Sequence, residues 1–248
     1  MNIYSIITAR SSSTRLPNKI LLNVGKGQKS IDILIKRAIK IGYPIILATT
    51  RSKSDDKLCK YCEKNYKIKI YRGSKNNKIK RWHDCFLKFK IDKACMIDGD
   101  DLLFDFSLYK KMINKKIKDG YIFKYREGMI VGTFMYIFTK SFIEKLKRIS
   151  ILSRDTEMID PFLNQNKKKI IYHKFKNLYF TKNIRLTLDY YDDLLVFRNL
   201  LKKFKVTSKY SDIIKYLNKN KIISKINFFR QNDWKNNQLK KIKKNTKL

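Results

Sequence analysis

Short apolar runs alternate with segments of helical spacing along the first hundred residues. The runs predict buried strands at Ile3–Thr8, Ile45–Thr49, Ile68–Tyr71 and Ala94–Ile97. Between them, apolar residues recur every three or four positions and predict helices around Ile31–Ala38, Leu58–Tyr66 (capped by Ser54-Asp55-Asp56) and Ile79–Phe89. Strands that are apolar on both faces and alternate with helices are typical of a parallel sheet covered on both sides. The pattern therefore predicts an α/β fold with three layers, α/β/α.

The pattern becomes less regular after residue 120. Strands are predicted at Tyr121–Tyr125, Met129–Phe138 and, as a last central strand, Ile184–Asp189. Helices are predicted at Ser141–Arg148, Thr156–Asn166 and Tyr191–Phe204. The final stretch, 234–248, contains no acid and many lysines, so we expect a basic, disordered tail there. Residues 1–233, with a C-terminal helical segment over about 191–233, are expected to form one domain.

Positive charge dominates the composition. The 248 residues include 58 lysines and arginines against 21 acids, a net charge of +37. Such a balance is typical of proteins that bind nucleic acid or anionic membranes. The excess runs through the whole chain, however, and Lys, Asn and Ile are what an AT-rich genome supplies. Charge therefore leaves both interpretations open, and we expect no specific nucleic-acid partner.

Several common functional classes find no support in the chain. No apolar stretch reaches the roughly 18 residues of a membrane span, and Met1 leads into the first strand without a secretory signal, so a cytoplasmic protein is expected. A Cys-x-x-Cys pair is present, but no second pair or nearby histidine completes a zinc set. We therefore expect reduced, half-buried thiols and two isolated, non-catalytic histidines: Cys59, Cys62, Cys85 and Cys95, with His83 and His173.

A loop of small residues with three cations follows the first strand. It runs from Ala9 to Lys19 and has the sequence ARSSSTRLPNK. Serine hydroxyls and loop amides can donate hydrogen bonds to phosphate, and arginine and lysine neutralise its charge. The spaced glycines of a Walker loop are missing. By residue types alone, the segment is either a polyphosphate site or an ordinary solvated loop.

Carboxylates follow the fourth strand, in Asp98-Gly99-Asp100-Asp101. Ligands of open α/β sheets bind outside the carboxyl ends of the strands, so these acids are expected beside the basic loop. Phosphates and carboxylates repel each other unless a divalent cation lies between them, and Mg²⁺ prefers one or two carboxylates plus substrate phosphate. The juxtaposition indicates a metal–nucleotide site, although the same four residues also suit a plain turn.

The basic loop resembles the signature Ala-Arg-x-Gly-Ser-Thr-Arg-Leu-Pro-x-Lys of bacterial cytidylyltransferases. The resemblance is to the spore-coat polysaccharide type and, more distantly, to the enzymes that activate 3-deoxy-manno-octulosonate and acylneuraminate. Gly99-Asp100 matches the family's Gly-Asp, whose aspartate holds magnesium. RLTLD, from Arg185 to Asp189, matches the segment with the second metal-binding aspartate. Without the resemblance, that segment is equally a strand end with a helix cap.

Weaker matches extend the resemblance over about residues 3–232. They are Ala48-Thr49 with Asp55-Asp56, Arg72-Gly73-Ser74, Arg81, Ile226-Asn227 and Arg230-Gln231. The departures are Ser12 in place of glycine, Asp98 in place of Gln or Thr, Leu102 in place of Pro, and Phe134 and Tyr136 in place of an Asp and a Glu. The last two lie where relatives shape the acceptor pocket, so an unusual acceptor site is expected.

The resemblance implies a nucleotide-diphospho-sugar transferase-like fold, Rossmann-like, with a mixed, mostly parallel sheet. It implies a Mg²⁺-dependent transfer of CMP from CTP to a sugar or sugar acid, supplying a donor for surface glycan synthesis. The implied catalytic residues are Arg10, Lys19, Asp98 and Asp100. The implied nucleotide-binding residues are Ala9, Arg10, Ser12, Ser13, Arg15, Lys19, Arg72, Arg81 and Asp98. The implied metal ligands are Asp100 and Asp189.

Two alternatives remain open at the level of sequence. An enzyme of this fold could use another nucleotide, or a non-sugar alcohol or phosphonate as acceptor, and nucleotide preference would separate these possibilities. A catalytically silent relative could instead bind RNA or anionic lipid through its charge, with steep salt dependence and no need for Asp100. By analogy with the family, a homodimer is expected.

Overall fold

The computed structural model describes residues 1–116, 121–123, 129–133, 136–153, 155–165, 170–172, 180 and 183–245. The strands within these residues are β1 Ile3–Thr8, β2 Asn23–Gly25, β3 Gln28–Lys29, β4 Ile45–Thr50, β5 Lys69–Gly73, β6 Lys93–Asp98, β7 Tyr121–Phe123, β8 Tyr136–Thr139 and β9 Ile170–Tyr172. Seven of them form one sheet in the order β5-β4-β1-β6-β8-β7-β9, and β2 and β3 form a separate hairpin.

The central strands of the sheet are parallel. β1 lies between β4 and β6 and pairs in parallel with both, and β4 pairs in parallel with β5. β8 is antiparallel to both β6 and β7, and β9 is parallel to β7. The register of β1 on β6 places Thr8 directly beside Asp98. The basic loop and the acidic segment therefore leave the sheet side by side, and the predicted mixed, mostly parallel sheet is confirmed.

The two faces of the sheet bury two apolar clusters. Ile7 and Ile97 belong to one cluster, and their neighbours Ile6 and Met96 to the other, because successive strand residues point to opposite faces. Helices cover both clusters, which confirms the three layers. The helix bounds are α1 Ser30–Ile39, α2 Asp56–Asn65, α3 Lys78–Lys88, α4 Phe106–Ile113, α5 Lys140–Ile149, α6 Asp160–Asn164, α7 Tyr191–Lys203, α8 Tyr210–Lys219, α9 Lys221–Phe228 and α10 Arg230–Asn245.

The second half of the chain departs from the predicted strands. Among the described residues of Met129–Phe138, only the last three belong to a strand of the sheet, β8. Ile184–Asp189 is not a strand of the sheet, and its one ladder contact is an isolated bridge between Val131 and Arg185. The predicted helix Thr156–Asn166 is reduced to α6. Ile184–Asp189 is nevertheless buried throughout. The apolar residues of this segment are buried next to the site. The spacing of apolar residues along the sequence does not distinguish such a buried segment from a strand of the sheet.

The predicted disordered tail is wrong for most of its length. Residues 234–245 continue α10, which begins at Arg230. Composition alone cannot reveal the contacts that fix this helix, such as the 3.0 Å hydrogen bond from Asn237 Nδ2 to the hydroxyl of Tyr190. No helix in the described part of the chain is long and apolar enough to cross a membrane.

Candidate active site

A buried carboxylate holds the loop after β1 in place. Asp55 accepts a hydrogen bond from the amide of Ser11, with 2.6 Å between N and Oδ1. Its other oxygen accepts from the amide of Thr50 at 3.2 Å and from the Thr50 hydroxyl. The sequence predicts that Asp55 caps α2, but its side chain makes no such cap. It ties the basic loop to the end of β4 instead.

Three separate segments meet at the ammonium group of Lys19. Its Nζ lies 3.0 Å from Asp100 Oδ2 and 2.9 Å from Asp189 Oδ1. Arg15 Nη2 lies 2.5 Å from the same Asp189 oxygen. Burial alone would lower the pKa of Lys19 and raise that of Asp189, but the facing charges outweigh it and move both pKa values the other way. Lys19 and Asp189 are therefore both charged at neutral pH.

On the side away from Lys19, Asp189 is oriented by Arg185, which is fully buried. Arg185 Nε donates to Asp193 Oδ1 at 2.9 Å, and Arg185 Nη2 lies 3.3 Å from Asp189 Oδ2. Asp193 Oδ2 accepts from the amides of Asp189 and Tyr190, at 2.8 and 2.9 Å. Asn227 Nδ2 donates to Asp193 Oδ1 at 2.8 Å, which ties α9 into the network. In the RLTLD segment, the arginine therefore positions the aspartate.

The other end of the site joins two arginines through one glutamate. Glu157 Oε1 lies 3.6 Å from Arg10 Nη1 and 3.4 Å from Arg81 Nη2. Burial lowers the pKa of the Arg81 guanidinium. Nearby, Lys78 Nζ donates to Asp98 Oδ1 at 2.7 Å. Burial would lower the pKa of Lys78, but the charge of Asp98 outweighs it and raises that pKa.

These groups surround a cavity of about 480 Å³ at the carboxyl edge of the sheet. Most of the predicted site residues line it: Ala9, Arg10, Ser12, Ser13, Arg15, Lys19, Arg81, Asp98 and Asp100. Asp189 is buried beside the cavity, in contact with Lys19. Tyr136, one of the departures from the family, also lines it, whereas Phe134 lies outside the described residues.

Arg72 lies apart from the other predicted nucleotide-binding residues and does not line the cavity. Its Nη2 lies 2.6 Å from Asp56 Oδ1 and donates to the Ser52 carbonyl at 2.8 Å, and its Nε donates to the Thr50 carbonyl at 2.9 Å. These partners hold the side chain along the outer part of the loop after β4. Arg72 is part of the scaffold, outside the lining of the cavity.

Sequence reasoning missed several cavity residues. Lys78, Glu157, Trp234 and Gln238 line the cavity, but none stands in a motif. Nothing in the sequence distinguishes Lys78 from the other lysines and arginines, which number 58 in all. Glu157 could have been noticed, because acids are scarce in this chain.

The carboxylates of Asp100 and Asp189 both contact the ammonium group of Lys19. No cluster of three His, Cys, Asp or Glu side chains with the geometry of a metal site occurs in the part of the chain that the structure describes. A pair of carboxylates suits a Mg²⁺ ion whose remaining ligands are substrate phosphate and water. The residues present therefore fit such an ion, and Asp100 and Asp189 are those that could hold it.

The cysteines take no part in the site. All four are free and buried, more deeply than predicted. Burial raises the pKa of the Cys62 thiol to about 12 and that of Cys85 to about 12, which makes these thiols unreactive at neutral pH. His83 contacts Asp84 on α3, with 3.2 Å between Nδ1 and Oδ1, and lies outside the lining of the cavity. His173 lies outside the described residues.

A mostly parallel α/β sheet with a basic loop and paired aspartates at its carboxyl edge defines a nucleotidyltransferase class of fold and site. The sequence profile of the cytidylyltransferase family matches residues 4–232, and the chain belongs to that family. The resemblance deduced from the motifs is thereby confirmed.

Two relatives illustrate the range of the family. The chain is 29% identical over 232 residues to the uncharacterized protein MJ1063 of Methanocaldococcus jannaschii, covering 92% of this chain and 95% of the relative. It is 26% identical over 157 residues to the spore coat polysaccharide biosynthesis protein SpsF of Bacillus subtilis, covering 61% and 65%.

Two solved structures share the fold. A cytidylyltransferase from Leptospira borgpetersenii superposes with a TM-score of 0.79 at 24% identity, over 91% of this chain and 97% of that one. CMP:2-keto-3-deoxy-manno-octonic acid synthetase, solved with CTP, superposes with a TM-score of 0.59 at 14% identity, over 82% and 99%.

Proposed function

We propose that the protein transfers CMP from CTP to the hydroxyl of a sugar or sugar acid and releases pyrophosphate. The observation that carries the proposal is the meeting of Lys19, Asp100 and Asp189, which come from three separate segments of the chain. A structural role alone gives no reason for a basic loop and two aspartates to converge on a cavity.

The chain's own residues would bind and orient the triphosphate. Arg15 and Lys19 would neutralise its charge, and the loop amides with the hydroxyls of Ser12 and Ser13 would donate hydrogen bonds to its oxygens. Arg10 and Arg81, at the Glu157 end, would hold the CMP part. In the reaction, the acceptor oxygen forms a bond to the α-phosphorus, and the bond from that phosphorus to the bridging oxygen of pyrophosphate breaks.

The hydroxyl proton of the acceptor needs a destination. Asp98 is the candidate base, and its contact with Lys78 through Oδ1 fixes the orientation of its carboxylate. Mg²⁺ held by Asp100 and Asp189 would neutralise phosphate charge and lower the pKa of the acceptor hydroxyl. Positioning and charge neutralisation would then supply most of the rate enhancement.

The names of relatives and the lining of the cavity both support a sugar or sugar acid as the acceptor. SpsF is named for spore coat polysaccharide synthesis, and a solved neighbour is a synthetase for a CMP-linked sugar acid. The cavity wall beyond Asp98 combines Tyr136 with Met158 and Asp160, a mixture of aromatic, apolar and polar groups that suits a hydroxylated ring. We therefore propose that the product serves surface glycan synthesis and that the enzyme acts in the cytoplasm.

The test is thermal unfolding with each of the four ribonucleoside triphosphates, with and without Mg²⁺. A ligand at about a hundred times its Kd stabilises the native state by about 2.7 kcal/mol, a readily measured shift. We expect stabilisation by CTP above the other three, dependent on Mg²⁺ and lost in Asp100→Asn. Asp212→Asn is the matched control, because Asp212 is exposed on α8 and changes the net charge equally.

Other outcomes separate the alternatives. A shift with another triphosphate, equally dependent on Mg²⁺ and Asp100, would indicate a nucleotidyltransferase of different specificity. Equal shifts with all four, unchanged in Asp100→Asn and abolished by salt, would mean that the +37 charge merely collects anions. That result would overturn the proposed enzyme.

A further inference from the structure

The ammonium group of Lys19 contacts the same two carboxylates that fit a Mg²⁺ ion. Its Nζ lies 3.0 Å from Asp100 Oδ2 and 2.9 Å from Asp189 Oδ1. The other oxygen of Asp189, Oδ2, faces Arg185 Nη2 at 3.3 Å. Because Mg²⁺ takes oxygen ligands at about 2.0–2.1 Å, an ion held by the two oxygens that now meet at Lys19 would overlap the ammonium. Lys19 and the ion therefore compete for one position.

The local charge favours Lys19 over a metal ion that arrives alone. Arg15 Nη2 lies 2.5 Å from Asp189 Oδ1, so two fixed cations already face the two carboxylates. Both cations repel a divalent ion, and the burial of this cluster weakens the screening of that repulsion. Mg²⁺ also gives up its water ligands reluctantly. Mg²⁺ without an accompanying anion is therefore expected to leave Lys19 in place.

The side chain of Lys19 can leave this position while its backbone stays. The carbonyl of Lys19 accepts a hydrogen bond from the hydroxyl of Ser30 at 2.7 Å, and its amide donates to the Leu16 carbonyl at 3.2 Å. Beyond this fixed backbone, a flexible stem of four carbons carries the ammonium. Lys19 also lines the cavity, so the stem can turn toward phosphate oxygens bound there.

We infer that Lys19 holds the metal position until a nucleoside triphosphate draws its ammonium away, so that the ion binds only together with the triphosphate. The inference rests on the proposed function. The phosphates give Lys19 and Arg15 new anionic partners and supply the remaining ligands of the ion. Lys19 thus serves as the counterion of the aspartates in the free protein and as a phosphate ligand in the complex.

The experiment is titration of the full chain with Mn²⁺ in the absence of nucleotide, with free Mn²⁺ measured by electron paramagnetic resonance. Mn²⁺ is the probe because it takes the same oxygen ligands as Mg²⁺. The variants are Lys19→Met and Lys19→Gln, which remove the ammonium. Arg10→Met is the matched control, because Arg10 also lines the cavity and carries the same charge, but its ion pair is with Glu157. The double variant Lys19→Met/Asp100→Asn tests whether a gain in binding occurs at the aspartates.

The Lys19 variants are expected to bind Mn²⁺ at least about ten-fold more tightly than the wild type and Arg10→Met, because the repulsion between two close cations is removed. The gain should disappear in the double variant. Thermal unfolding provides a second readout, in which Mn²⁺ should raise the Tm of the Lys19 variants and leave that of the wild type unchanged. This comparison within each variant holds even where the substitution itself lowers stability.

Equal Mn²⁺ affinity in the wild type and the Lys19 variants would overturn the inference. A gain that Arg10→Met shares, or that the double variant keeps, would also overturn it. A separate titration of the wild type with CTP and Mn²⁺ tests the proposed function, and binding there would leave that function intact whatever the Lys19 variants do. A wild type that binds no CTP would overturn the proposed function and, with it, the release of Lys19 by triphosphate.

Discussion

Replacing Gly132 by alanine tests the close backbone contact between Gly132 and the segment that leads to Asp189. Gly132 has φ +94°, and a Cβ there would lie 2.0 Å from the Leu186 carbonyl oxygen and 2.5 Å from the Thr187 amide nitrogen. Gly42 is a matched control, because its φ is +95° and a Cβ there would meet nothing within 4 Å. The two substitutions therefore share the backbone strain and differ in the collision.

The magnitudes follow from these two terms. A left-handed conformation costs an L-residue about 1–2 kcal/mol, which is the whole expected effect of Gly42→Ala. Gly132→Ala adds about 1–3 kcal/mol of overpacking, since the atoms it meets belong to backbone that must move. In a domain of this size, the added cost corresponds to about 2–12 °C in Tm. Leu186 and Thr187 precede Asp189 directly, so the displacement should also weaken CTP binding.

The assay is urea unfolding of both variants, followed by titration with CTP and Mg²⁺. Gly132→Ala should lose more free energy of unfolding than Gly42→Ala, and only Gly132→Ala should bind CTP more weakly. Equal losses of stability, with CTP binding unchanged in both, would refute the close approach of Gly132 to the Leu186 carbonyl and its part in positioning Asp189.

Three further substitutions test the ion pairs. Arg185→Met leaves the buried carboxylate of Asp193 without its ion-pair partner and should cost about 3–5 kcal/mol of unfolding free energy in urea, whereas the exposed control Arg51→Met should change little. Because the folded pKa of Asp189 lies below its unfolded value of about 3.9, its stabilisation is complete above that pH and is lost as pH falls further. Asp189→Asn should lack this acid-dependent loss in urea titrations at several pH values; an unaltered pH profile would count against the pairing. Glu157→Gln removes a carboxylate from two guanidiniums and should tighten CTP binding about three-fold or more at low salt, with a smaller gain at high salt; weaker binding would indicate that Glu157 contacts the nucleotide.

The first half of the fold was predictable because its local signals agree with its packing. The strands β1, β4 and β6 are buried on both faces over most of their length, and the edge strand β5 is partly buried. Each predicted helix there carries an apolar stripe toward one of the two clusters. The prediction of the second half fails where a segment is buried without being paired in the sheet. Leu186 and Leu188 are fully buried, but their amides bond to Val131 and Asp100 carbonyls outside any regular strand. Sequence periodicity does not distinguish such a segment from a strand.

The site residues likewise fall into those that the sequence predicts and those that it does not. The basic loop and the aspartates were found because they stand in short motifs at strand ends, where sheet topology brings them together. Lys78 and Glu157 were missed because their partners are distant in sequence: Glu157 meets Arg10 from 147 residues away. Arg72 was assigned by its neighbours in the motif, and only its contacts with Asp56 and the loop backbone reveal its structural role.

The scarce acids of this chain identify its site better than the abundant cations. The chain has 58 lysines and arginines but only 21 acids. Among the described residues that line the cavity, the two kinds are nevertheless equally frequent, with five acids and five cations: Asp98, Asp100, Asp101, Glu157 and Asp160, and Arg10, Arg15, Lys19, Lys78 and Arg81. A compositional bias toward lysine does not explain these counts, because it would raise the number of cations over the whole surface and would not add acids to the cavity. Acids in a cavity for a polyanion weaken its binding unless they hold a cation or take a proton. Their enrichment is therefore evidence for chemistry at the cavity, and it argues against a protein that merely binds polyanions through its overall charge.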